Sequence, residues 1–140
     1  MRGLVQRVSA ARVRVGDEVV GEIGPGLCAF VGVTHGDGPA EARRLAAKLW
    51  HLRLFDGDRS LEETGGALLV VSQFTLYGDT SRGRRPSWIA APRPEQAARL
   101  VDMVVAELRA LGALVATGRF GATMTVEVVN EGPMTLQLEV

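Results

Sequence analysis

Ser72-Gln73-Phe74-Thr75 places a hydroxyl, an amide and a second hydroxyl within four residues. Such a group donates and accepts several hydrogen bonds at once. It follows the apolar run Leu68 to Val71, where a short buried strand gives way to a loop, the usual location of sites in α/β folds. Two readings stand. Backbone N–H groups that leave the ladder at a strand end can form an oxyanion hole, which stabilises developing negative charge. The same residues equally describe a polar strand exit with capping hydroxyls.

Two other stretches carry chemical potential. Arg82-Gly83-Arg84-Arg85-Pro86-Ser87-Trp88 sets three arginines beside an aromatic. Guanidinium forks match phosphate oxygens and an indole stacks on a base; the alternative is a solvated charged loop. Near the C-terminus, Gly132-Pro133 interrupts two runs that alternate like strands. Proline lacks an N–H and fits poorly inside a sheet, so the pair reads as a hairpin turn.

Conventional acid–base machinery is missing. His35, in a Thr-His-Gly-Asp-Gly loop, and His51, beside Trp50, are the only histidines, and both read as ordinary surface or partly buried residues. Asp56 with Asp58, or Glu62 with Glu63, fit turn chemistry and a solvated loop better than a catalytic pair. No HExxH, Walker A, GxSxG or GxGxxG pattern occurs. Cys28 is the single cysteine and sits in an apolar run, so it reads as a small buried hydrophobe; no metal site and no cofactor are expected.

The elements that must position these groups follow from pattern and punctuation. A chain of 140 residues, 46% hydrophobic and 23% charged, is expected to fold as a single domain, 1–140, with a substantial core. Sixteen basic and sixteen acidic residues cancel, which excludes the global positive field of a duplex-DNA binder. No signal peptide or membrane-spanning run is visible, so a cytoplasmic protein is expected. Val5, Val8, Val13 and Val15 mark two short β-prone stretches, and Gly16-Asp17 predicts a hairpin near residues 11 to 23. Leu27 to Val33, apolar throughout, predicts a central strand covered on both faces.

One helix is predicted from Pro39, capped by Asp37 or Gly38, to about Leu54, with Ala42, Leu45, Ala46 and Leu49 on its apolar face. Residues 55 to 66 read as loop, and so do 79 to 93. A second helix starts at Pro94 and ends at Gly112. Strands are expected at 113–117, 124–129 and 134–140. The pattern predicts an α/β layered domain with a mixed sheet flanked by antiparallel hairpins.

Taken together, Ser72-Gln73-Phe74-Thr75-Leu76, Asn130-Glu131-Gly132-Pro133-Met134-Thr135 and the opening Gln6-Arg7-Val8 resemble the D-aminoacyl-tRNA deacylases of the DTD type. Similarity continues through Gly21-Glu22-Ile23-Gly24, Arg82 to Ser87, and Thr117-Gly118-Arg119-Phe120-Gly121-Ala122, nearly the whole chain in order. Thr123 stands where the family usually has aspartate, and the 59–66 stretch is shorter and lacks the common Lys-Met-Asn.

The resemblance implies a layered β/β/α fold with mixed and antiparallel sheets and two main helices. It implies a homodimer that hydrolyses the ester between a D-amino acid, or glycine, and the 3′-terminal adenosine of tRNA, enforcing homochirality in translation. Ser72, Gln73, Phe74 and Thr75 would line the pocket, with backbone N–H groups near Phe74 and Thr75 steadying the scissile carbonyl. Gly132 and Pro133, joined by a cis bond that the general X-Pro preference would not favour, would reach into the partner's site and reject an L side chain. Arg7 would orient that loop, and Phe120 and Met124 would flank the adenosine; RNA contact by Arg82, Arg84 and Arg85 is expected from their own phosphate-matching chemistry. The tRNA's own 2′-hydroxyl would activate water, while Thr75 as covalent nucleophile lacks a base. The alternatives are a related editing deacylase with a trans Gly-Pro bond acting on L-aminoacyl-tRNA, and an inactive tRNA-end binding module.

Overall fold

Strand side chains alternate between faces, so a run apolar at every position needs cover on both. In the computed structural model, which describes residues 1–140, the chain runs β1 (Arg2–Val15), β2 (Glu18–Ile23), β3 (Gly26–Gly32), α1 (Pro39–His51), α2 (Leu61–Thr64), β4 (Ala67–Ser72), α3 (Pro94–Ala110), β5 (Leu114–Thr117) and β6 (Thr125–Glu139). The apolar runs become the parallel neighbours β3 and β4. Leu27, Ala29, Val31, Leu68 and Val70 join a core shared with α1 and α3. Cys28, Leu69 and Val71 point the other way and pack with Val8, Ala11, Val13 and Ile23 of β1 and β2. The two parities of one strand therefore feed two cores, giving a β/β/α layering.

A single six-stranded mixed sheet links these layers. β3, β4 and β5 are parallel, whereas β1 runs antiparallel to β2, β3 and β6. β1 is long enough to change partner along one edge: residues 2–8 pair with β3 and residues 11–15 with β2. The second half of β1 carries β2 back over the sheet. A Cβ on Gly21 of β2 would lie 2.2 Å from the Thr117 carbonyl oxygen, so glycine is what allows the two backbones to meet.

The hairpin at Gly16-Asp17 is as expected, with Val15 opposite Glu18 and Gly16 at φ +60°. The two short stretches expected before it are one continuous strand, because β6 supports β1 along nearly its whole length. α1 starts at Pro39 with Gly38 as cap, but it ends at His51 rather than near Leu54, since Leu52 has already turned to extended backbone. The 55–66 loop contains a helical turn, α2. Ser60 accepts from the Glu63 N–H, Glu63 accepts from the Ser60 N–H, and Gly65 closes the turn in the left-handed region, a capping box that periodicity does not reveal in so short an element. The two main helices meet the sheet through Leu45, Leu49, Val104 and Leu108, all essentially inaccessible.

The expected hairpin at Gly132-Pro133 is not one. Its two flanks do not pair with each other; both continue along β1. Gln6 faces Thr135 and Val8 faces Asn130, five steps along β6 against two along β1. The surplus residues leave the ladder as an excursion, a multi-residue bulge in one long strand.

Candidate functional site

Ser72 ends β4 opposite Val31, and the Gln73 N–H extends the ladder by one bond of 2.8 Å to the Val31 carbonyl. The chain then tightens into a 3₁₀ turn, Phe74–Tyr77. The first donors of a helical turn have no acceptor behind them. Leu76 N–H returns to the Gln73 carbonyl and Gly78 N–H to that of Thr75, whereas the Phe74 and Thr75 N–H groups donate to no other group of the chain. The far end of the turn is anchored. Tyr77 is buried, which pushes its hydroxyl up to about 12. The Arg2 guanidinium lies 4.5 Å from the Tyr77 ring centroid and donates to the Leu76 carbonyl at 3.0 Å.

This turn borders a cavity of about 590 Å³. Ser72, Gln73 and Phe74 form one side, and Phe120 and Met124, from the segment between β5 and β6, form another. Trp88, Pro92 and Val101 close it from the loop before α3 and from α3 itself. The walls contain no ionisable side chain. Phe74 meets Trp88 edge-on, with centroids 5.4 Å apart and planes at 70°, a favourable quadrupole arrangement. Gly78 makes room for it: a Cβ there would lie 2.5 Å from Trp88 Cζ3.

Thr75 lies outside the wall, exposed, and its Oγ1 accepts a hydrogen bond from Gln73 Nε2. An amide donates protons and does not remove them, so nothing here activates that hydroxyl as a nucleophile. Neither His35 nor His51 lines these walls: His35 Nε2 meets the Ile89 carbonyl at 2.9 Å, and His51 Nδ1 meets Glu62 Oε2 at 3.0 Å. Burial pushes the Cys28 thiol up to about 12, an inert state. No cluster of three His, Cys, Asp or Glu side chains is placed to hold a metal.

Gly132 and Pro133 are exposed, joined by a cis peptide bond, and absent from the walls of this chain's own cavity. Their excursion is tied at its base. Asn130 Nδ2 donates to the Arg7 carbonyl at 2.9 Å and to the Met134 carbonyl at 3.1 Å, and Gln6 Nε2 donates to Thr135 Oγ1 at 3.1 Å. Arg7 is mostly buried. Its Nη1 donates to the Leu54 carbonyl at 3.0 Å and to Asp56 Oδ1 at 3.1 Å, while its Nε sits 3.3 Å from Glu131 Oε2, an ion pair without an aligned hydrogen bond. Arg82, Arg84 and Arg85 are exposed on the loop before Trp88 and do not reach the cavity.

The structure thus brings Ser72, Gln73, Phe74, Phe120 and Met124 to one cavity and leaves Thr75, Arg7, Gly132 and Pro133 outside it. Trp88 as a wall, Pro92, Val101 and the Glu131–Arg7 pair were not foreseen as site residues. The Gly78–Trp88 complementarity is the one missed feature with a local signal, a glycine after the turn and a bulky aromatic ten positions on.

Comparison with known proteins agrees with this geometry. The family model described as D-Tyr-tRNA(Tyr) deacylase matches residues 4–139. A D-aminoacyl-tRNA deacylase of Nocardia farcinica is 62% identical over 99% of both chains. One of Thermobifida fusca is 61% identical over the full length of both. Among solved structures, a c-Myc DNA Unwinding Element Binding Protein aligns over 100% of this chain and 99% of its own, with a TM-score of 0.93 and 34% identity. A probable eukaryotic D-amino acid tRNA deacylase, 19% identical over 99% of this chain and 98% of its own, shares the fold with a TM-score of 0.87. No helix is long and apolar enough to cross a membrane.

Proposed function

The chain belongs to the D-Tyr-tRNA(Tyr) deacylase family and hydrolyses the aminoacyl-tRNA ester bond, and from that premise we propose that backbone, rather than side-chain acid–base chemistry, performs both the catalysis and the chiral choice. Residues 1–140 would form one catalytic domain that works as a homodimer in the cytoplasm. The observation that carries the reading is the pair of unpartnered N–H groups at Phe74 and Thr75, beside a cavity whose walls hold no ionisable residue.

Hydrolysis of an ester moves negative charge onto the carbonyl oxygen as the tetrahedral intermediate forms. Donors already aimed at that oxygen cost no reorganisation, and one such donor is typically worth about 2.7–4 kcal/mol. The Phe74 and Thr75 N–H groups fill that role, with Ser72 and Gln73 aligning the aminoacyl group. The terminal adenosine lies between Phe120 and Met124. Water is activated by the 2′-hydroxyl of the substrate's own ribose, which suits a site with neither histidine nor carboxylate.

Chirality is assigned to Gly132-Pro133 of a second copy. Its exposure, its absence from its own cavity wall and its fixed base on β1 support this placement. A backbone obstacle cannot rotate away as a side chain can, so an L side chain meets a standing clash. Arg7 positions the excursion through Glu131, and D-amino acids and glycine pass. Matched D- and L-aminoacyl-tRNA decide the matter in a deacylation assay. D substrates are cleaved and L substrates spared; rapid cleavage of L substrates would point to a trans-type editing enzyme, and cleavage of neither to an idle tRNA-end binder.

A further inference from the structure

The net charge of zero conceals an uneven distribution. Most arginines are tied down, as Arg12 is to Glu22 and Glu127 and Arg119 is to Glu18. Between Thr80 and Arg93 there are four arginines and no carboxylate. Arg82, Arg84 and Arg85 are exposed, and their side chains make no ion pair or hydrogen bond. Asp79, the nearest acid before them, has its carboxylate held by the Ser81 N–H at 2.9 Å and its pKa lowered by bonds from Ser81.

The loop that carries these cations is closed at its base and adjoins the cavity at Trp88. Asp79 and Ser87 exchange two backbone hydrogen bonds of 2.9 Å, and the residue after Ser87 is Trp88, a cavity wall. Beyond it, Thr34 Oγ1 donates to the Ala90 carbonyl at 2.7 Å, and His35 Nε2 holds that of Ile89. Three clustered cations without a counter-charge repel one another, a cost that a polyanion would reverse.

We propose that the 80–87 loop binds the phosphodiester backbone of the single-stranded RNA nucleotides immediately 5′ of the terminal adenosine. The inference rests on the reading that the cavity receives that adenosine, because the loop runs directly into the cavity wall at Trp88. Arg82, Arg84 and Arg85 contact phosphates, and Trp88 offers an aromatic edge at the point where strand and cavity meet. Affinity for the RNA is then set largely outside the cavity, by contacts that carry no sequence information.

The experiment compares a D-aminoacyl-tRNA with the same D-amino acid esterified to adenosine alone, in the wild type and in Arg82→Gln/Arg84→Gln/Arg85→Gln. The expected result is a fall in the ratio of kcat/KM on tRNA to kcat/KM on the adenosine ester. The log–log salt dependence of kcat/KM on tRNA should also shrink by about 2, at about 0.7 per lost single-strand phosphate contact. Over a fourfold range of salt that is about 20-fold less loss of kcat/KM. Arg43→Gln, at an exposed and unpaired arginine on α1, should leave the ratio in place. An unchanged ratio and slope in the triple variant overturns the proposal, and so does an equal fall on both substrates, which would mean the loop acts only through cavity shape. If the wild type cleaves neither substrate, the deacylase reading fails separately; binding of uncharged tRNA over the same salt series then decides the loop, and an unchanged slope overturns it.

Discussion

Gly78→Ala adds one methyl group against the indole of Trp88, a wall of the cavity. The new Cβ would lie 2.5 Å from Trp88 Cζ3 and 3.1 Å from the Thr75 carbonyl oxygen. Carbon atoms prefer separations of about 3.5–4.0 Å, so the indole must retreat by about 1 Å. Overpacking of this kind costs about 1–3 kcal/mol. Trp88 is 44% exposed and can vent part of the strain toward solvent, so we expect the lower half of that range, about 1–2 kcal/mol. For a chain of this size the melting temperature should fall by about 3–7 °C. Moving Trp88 also withdraws the edge that holds Phe74, a contact worth about 0.5–1.5 kcal/mol. Loosening of Phe74, which begins the 3₁₀ turn of the proposed oxyanion site, should lower kcat/KM by several-fold. The double variant Gly78→Ala/Trp88→Phe is the control, since the smaller ring does not carry the Cζ3 atom that clashes. The assays are thermal unfolding and deacylation kinetics on all four members of the cycle. Stability and kcat/KM should recover in the double variant, leaving a coupling energy of about 1 kcal/mol or more. Additive losses, or a neutral Gly78→Ala, would refute the packing argument.

Four other outcomes are expected. On the proposed mechanism, in which the backbone N–H and not the hydroxyl carries the oxyanion, Thr75→Ala should lower kcat by less than about 10-fold; abolished turnover with substrate binding intact would restore the nucleophile. Arg7→Met should lower the ratio of D to L hydrolysis by about 10-fold or more, with a smaller change on the D substrate; an unaltered ratio would remove Arg7 from the positioning of the 130–134 excursion. Gly21→Ala should cost about 3 kcal/mol or more, since its Cβ meets a backbone carbonyl at 2.2 Å that cannot swing aside; a melting temperature within about 2 °C of wild type would contradict the close approach of β2 and β5. Glu63 has its carboxyl held below the usual range, first by the Ser60 backbone N–H and then by the Ser60 hydroxyl. A depressed folded-state value contributes stability above the ordinary carboxylate pKa, and that stability is lost as pH falls through the folded value. The melting temperature of the wild type should therefore drop more steeply than that of Glu63→Gln on acidification below about pH 4.5, and parallel curves would show that the capping box is not coupled to folding.

Local signals carried much of the fold. Pro39 and Pro94 open the two main helices where proline at the first helical position predicts, and Gly112, at φ +102°, follows the end of α3. Leu27 to Val33 announced a strand buried on both faces because no solvent-facing residue interrupts it, and β3 feeds both cores. The short α2 escaped because four residues are too few for a periodicity, although its Ser60–Glu63 spacing is the signature of a capping box.

Around the site, Ser72, Gln73 and Phe74 were legible as a polar group at a strand exit, a purely local feature. Phe120 and Met124 were reachable only through the family resemblance, and Trp88 and Val101 not at all. These side chains share one cavity with Phe74 from three separate segments, and no local pattern states which distant side chains will share a wall. The Gly132-Pro133 pair shows the division most clearly. The sequence by itself determined that the ladder must break there, because proline offers no N–H and disrupts regular pairing. It also determined that the flanks are strands. Only the tertiary structure decided that both flanks pair with β1 and not with each other. A hairpin and a bulge have the same local alternation, and the choice belongs to the partner strand: β1 is long enough to hold β6 on both sides of the interruption. That continuity is what carries Gly132 and Pro133 outward on a fixed base.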